Sequence, residues 1–304
     1  MQKRLTKSDF MMAYMIIITL ACTIGGFFFG AYYMKAEYES AMAAALEAEK
    51  QQAEKERFLK EQKLYNEQDF IRFHYAVYEP VLSLKSAHFQ ALENWAEADR
   101  QTREDSLDHL VQTAEETLDQ LEKDVALPTS PLLLQAQENF RSSVRVYLER
   151  MEQLRSDQTS NALTRDEISA QLAGTQESWL KAQEQVYLSF ATWESAYVLR
   201  KPLPQVNLQS VTVEQWKQYP LLYRTYLSSA AMTAKKEWPA FSPEDLTARL
   251  DNLLASGDAS TIGIRDVTSA VGILYATDAI QPGDFKQMHK NYAGAKVPEV
   301  PLFH

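Results

Sequence analysis

Cysteine is almost missing from this chain, with Cys22 alone among 304 residues. That scarcity excludes a disulfide framework and a cysteine-based zinc site. Glycine is scarce too, with nine residues and none between Gly30 and Gly174, so the main part of the chain holds no glycine-rich phosphate loop. No Asn-x-Ser/Thr sequence occurs. Nothing marks the chain for N-glycosylation, which points to a bacterial cell envelope over a eukaryotic secretory route. A basic surface is lacking as well: the net charge is −10, and nucleic acid is therefore not an expected partner.

Catalytic patterns are equally thin. His74, His88, His109, His289 and His304 are scattered, with no H-E-x-x-H and no Glu-x-x-His of a di-iron bundle. Asp105 and His109 share a helix face and read as a solvated pair. Ser178 and Lys181 match S-x-x-K, but no K-T-G accompanies them and they flank Trp179 within a predicted helix. The match reads as coincidence. No enzyme activity, metal or cofactor is expected.

What the chain does have begins with an uncharged run from Phe10 to Met34, 25 residues between Asp9 and Lys35. A bilayer-crossing helix needs roughly 20, whereas a cleaved signal has a shorter apolar core. The region around Cys22 makes a poor lipoprotein site. Lys3, Arg4 and Lys7 precede the run, and Glu37 and Glu39 follow it. These features predict an uncleaved signal-anchor, a transmembrane helix over 10–34, with residues 1–9 cytoplasmic and the body extracytoplasmic. The lipid bilayer is then a partner. Gly26 and Gly30 form a small-xxx-small pair for close helix packing, so a homodimer joins the expected assemblies.

Residues 35–67 read as a helical stalk, because "EAEKQQAEKER" is nearly all polar and helix-forming. Beyond it, apolar stripes recur at steps of three and four. One holds Leu84, His88, Ala91, Trp95 and Ala98, and a second runs from Leu107 to Val125. The third runs from Leu133 to Leu154. The fourth carries Ile168, Leu172, Trp179, Val186, Phe190, Trp193 and Tyr197, opened by a Thr164/Glu167 capping box. Residues 68–200 are thus expected to form an antiparallel helix bundle, with a kink or restart at Pro80. Thr102 and Asp105 resemble a capping pair near the first turn, and "LPTSP" marks a firmer break. The turn near Arg100 has neither Gly nor Pro, and one long helix followed by a shorter hairpin is the alternative.

Eight of the eleven prolines lie at or after position 202, and "RKPLPQ" ends the long-helix regime. Residues 201–304 read as a mainly helical C-terminal region with an extended tail. Its helices start at Thr212/Gln215, at Pro220 and at Ser242-Pro243, and Val267 to Tyr275 form a short amphipathic helix. Trp216, Tyr219, Tyr223 and Tyr226 follow helical spacing and read as core, with glycan or peptide binding as the alternative. In the tail "KVPEVPLFH", Val300, Leu302 and Phe303 are the candidate partner-binding residues.

The fold class expected is therefore all-α. The function expected is a single-pass, membrane-anchored interaction protein, a scaffold or accessory subunit that binds other envelope proteins. The alternative is a ligand-binding subunit that signals through a partner.

Overall fold

The computed structural model describes residues 7–61, 65–123, 130–157, 163–261 and 263–303, and inside the first helix only some side chains. Two compact units emerge, Met1–Arg57 and Phe58–His304. In the first unit α1 begins, a helix of Lys7–Glu61. Thr19 and Thr23 return their hydroxyls to the carbonyls of Met15 and Thr19, as hydroxyls do when a helix face offers no other partner.

The transmembrane helix expected over 10–34 must be corrected. Among the described residues, no helix is long and apolar enough to cross a membrane. The signal-anchor, the single-pass topology, the bilayer as partner, and the cytoplasmic N-terminus with an extracytoplasmic body are withdrawn with it.

The second unit is mainly helical among its described residues, with one isolated antiparallel bridge between Thr212 and Asp266. It opens with α2 (Glu67–Phe73), capped by Asn66 through the Asp69 amide at 2.9 Å. A π-turn at His74–Tyr78 leads into α3 (Glu79–Glu93). Pro80 explains the π-turn: it has no N–H for the regular ladder, so the chain widens one turn before it and the Glu79 amide bonds to His74. Next come α4 (Arg100–Leu121), α5 (Pro131–Ser156), α6 (Arg165–Gln171), α7 (Ala173–Trp193), α8 (Val213–Gln218) and α9 (Leu221–Lys235). They are followed by α10 (Pro243–Ala255), α11 (Asp258–Thr261), α12 (Val267–Ala276) and α13 (Asp284–Gln287).

Neighbours in sequence pack as neighbours in space, and specific contacts show that each reverses the last. Leu121, at the end of α4, accepts from Gln137 near the start of α5, while Asp108 near the start of α4 meets Arg155 at the end of α5. Asn139 and Ser143 of α5 reach Gln185 and then Thr175 of α7, running the opposite way. Ser228 and Arg224 of α9 meet Thr247 and Asp251 of α10. The result is an up-down array in which α7 packs on both α5 and α9, so 68–200 and 201–304 share one compact unit.

The stripes read from the sequence largely face this core. Leu133, Phe140, Val144, Tyr147, Met151 and Leu154 are all buried, as are Trp179, Val186 and Phe190. Tyr197 departs from its stripe and is exposed, because α7 gives way to a π-turn at Glu194–Leu199 that rotates the register. The chain does turn before Arg100. The cap there is Asp99, whose side chain accepts from the Thr102 amide, rather than Thr102 itself. Boxes at Thr164, Thr212 and Ser242 open α6, α8 and α10. Pro131 opens α5; the rest of "LPTSP" before Ser130, and Val125, lie outside the described residues.

Candidate functional site

A groove of about 1000 Å³ in the second unit lies between α3, the start of α6 and the connector from α9 to α10. Local sequence shapes each wall. The α3 wall presents Leu82, Lys85, Ser86, Phe89, Gln90 and Glu93, which share a face at steps of three and four. Opposite stands Arg165, at the first turn of α6. This turn is fixed by its Thr164 capping box and by the Trp95 indole, which donates to Leu163 O at 2.8 Å.

The third wall is the connector "KEWPAFS". Lys236 ends α9 in the left-handed region at φ 56°, and Ser242 with Asp245 caps α10. Between these two stops the chain has few conformations. They hold the Trp238 ring at 4.9 Å from Trp179, 5.2 Å from His88 and 5.3 Å from Phe89. Trp238 is 8% exposed, and its indole nitrogen is buried with no acceptor in the protein. An unpaired buried donor costs about 1 to 3 kcal/mol. An acceptor supplied from outside would remove that cost.

Lys85 forms the charged floor. It is 3% exposed and its Nζ donates to Phe241 O at 2.9 Å. Burial lowers its pKa to about 8, against the attraction of Glu244 and Asp245. Behind it, Tyr78 donates to Tyr187 at 3.3 Å and Tyr187 donates to Glu244. Burial, assisted by the charge of Asp245, raises Glu244 to about 7. His88 is held neutral, its pKa pushed down to about 4 by burial and then by Arg165, and its Nδ1 pairs with the Tyr147 hydroxyl at 3.0 Å. The hydroxyl–carboxylate pair at the groove edge, Ser242 with Asp245, is a helix cap.

Two kinds of sequence-derived site residue lie elsewhere. Gly26 sits on α1 with open space where a Cβ would be, and the surroundings of Gly30 are outside the described residues. Val300 and Phe303 are buried and Leu302 is half-buried against the same core, with the Phe303 ring 5.3 Å from Phe190 and 6.2 Å from Phe285. Binding a partner through them would require the tail to leave its own core. Asp105 and His109 stay exposed on α4, and no group of three or more His, Cys, Asp or Glu suited to a metal exists among the described residues.

Lys85 and Trp238 were not singled out from sequence. A faint signal existed for Lys85: a cation at the step of four from Val81 and next to Leu84 falls on the buried face of α3. Comparisons with protein families, characterised proteins and solved structures find no match to this chain.

Proposed function

We propose that this protein is a helical binding module that docks a short extended peptide segment of a partner protein in the groove between α3, α6 and the Lys236–Ser242 connector. Its role is recognition rather than a reaction. The observation that carries the reading is the buried Trp238 indole N–H, unpaired in the wall of this groove. A peptide carbonyl is the complementary acceptor.

Shape and charge support a peptide. From Leu82 to Glu93 the α3 wall runs about 16 Å, the length of about five residues of extended chain. Leu82, Phe89, Trp238, Phe241 and Ile280 offer apolar surface between polar groups, a pattern suited to alternating side chains. Lys85, Arg165 and Lys236 stand against Glu93, Asp166, Glu237 and Asp278, which leaves the lining close to balance with one excess negative charge. The rim therefore favours a segment of low net charge.

A peptide library of random 12-residue sequences, displayed on phage and selected against the full chain, tests this reading. Selected peptides should be apolar and of low charge. They should lose at least about tenfold in affinity, 1.4 kcal/mol, against Phe89→Glu. Selection that yields nothing, or peptides that bind Phe89→Glu as tightly as wild type, would refute it.

A further inference from the structure

A second cleft, about 600 Å³, opens between α8, the start of α9, the end of α10 and the turn His289–Tyr292. Its floor is one carboxylate with three donors. Asp251 accepts from the Trp216 indole at 2.8 Å, from Arg224 Nη1 at 2.5 Å and from the Tyr292 hydroxyl at 2.8 Å. Asp251 is thereby locked in place. Arg224 is held by one nitrogen only.

The other edge of that guanidinium is unpaired. Nε of Arg224 is buried with no partner, and among the described residues no protein group takes Nη2. The same protein shows what this edge pairs with when it is filled. Arg249 uses its own Nε and Nη2 on the two oxygens of Asp284, at 2.5 and 2.6 Å. The fork of two parallel N–H groups matches a planar carboxylate.

Charge and lining narrow the ligand. Arg224 and Lys217 together exceed Asp251 by one positive charge among the lining residues, which one monoanion neutralises. Glu194, whose charge also reaches Arg224, does not line the cleft, and both its oxygens accept the Leu222 and Tyr223 amides. Asn252 and Asn291 add amide groups, while Leu254, Ala255 and Tyr292 supply apolar wall.

We propose that this cleft binds a small monocarboxylate with an apolar body, held side-on by Nε and Nη2 of Arg224. The site is separate from the groove of Trp238 and does not rest on the peptide reading.

The test is an NMR titration of the full chain with benzoate, benzamide and inorganic phosphate, following the Arg224 Nε–H resonance. Benzoate should shift it saturably, with half-saturation below about 10 mM, a modest affinity for a ligand of this size. Arg249 Nε–H, already paired, should not move. Arg224→Lys should weaken benzoate at least about tenfold by losing the fork, and Lys217→Gln, on the exposed rim, should weaken it about twofold to threefold. Equal shifts from benzoate and its neutral isostere benzamide on the wild-type chain would overturn the proposal. So would a larger response to phosphate, or no saturable shift of Arg224.

Discussion

Replacing Glu244 with Gln should make the protein more stable at pH 8 and change it far less at pH 5. Glu244 is buried, and its pKa rises from the ordinary 4.5 to about 7, first through burial and then through Asp245. A carboxyl whose folded pKa is raised holds its proton longer in the folded state than in the unfolded one. Stability from this group is therefore full below about pH 4.5 and declines as pH rises through 7. A shift of about 2.5 units at 1.36 kcal/mol each gives a penalty of roughly 3 kcal/mol at pH 8, and somewhat under 1 kcal/mol at pH 5. Gln keeps an oxygen for the Tyr187 hydroxyl and carries no charge to desolvate. The gain from Glu244→Gln should thus grow by about 2 kcal/mol between pH 5 and pH 8, with loss of the Lys85 attraction reducing it. Urea unfolding at both pH values, monitored by circular dichroism, measures the difference directly. An effect of equal size and sign at pH 5 and pH 8 would refute the assignment of a buried, late-ionising carboxylate.

Trp179 is 1% exposed between Phe140 and Trp238, so Trp179→Ala should cost about 3 to 5 kcal/mol in urea unfolding, while Lys35→Ala on the exposed face of α1 should leave the midpoint unchanged. Phe303→Ala should cost a similar roughly 3 to 5 kcal/mol, because that ring packs on Phe190 and Phe285; a neutral effect would show that the tail is free to bind elsewhere. Asp284→Ala should destabilise by about 3 to 5 kcal/mol, since it strands Arg249 and removes the acceptor of the Gln281 amide at 2.7 Å, and Arg249→Ala should be comparably severe if the two act as one pair.

The bundle was legible because its signals are local. Glycine-free stretches, apolar steps of three and four, and caps at Thr164, Thr212 and Ser242 each act within one helix turn or two. Pro80 announced a fault in its helix for the same reason, although the form of the fault, a π-turn, depends on how the ladder relaxes. The grooves were not legible, since each joins residues far apart in sequence: Lys85 and Phe241 are 156 positions apart, and Trp216 and Asp251 are 35 apart. Hydrophobic periodicity assigned Trp216 to the core and was right about its burial. It carried no information that the indole N–H would meet Asp251 beside a half-paired arginine. The apolar stretch near the N-terminus shows a different limit. Composition there invited a membrane reading, and helix length and apolarity among the described residues do not sustain it.

The peptide-docking account rests on a comparison among indole N–H groups within one molecule. Trp95 and Trp216 donate to Leu163 O and to Asp251, both at 2.8 Å, whereas Trp238 has no acceptor. In a 1H–15N spectrum of the full chain titrated with a peptide selected from the 12-residue library, the Trp238 indole proton should move downfield and saturate as a carbonyl reaches it. The Trp95 and Trp216 indole signals should stay within the scatter of the titration. A peptide that binds tightly while the Trp238 indole signal remains fixed would contradict the account.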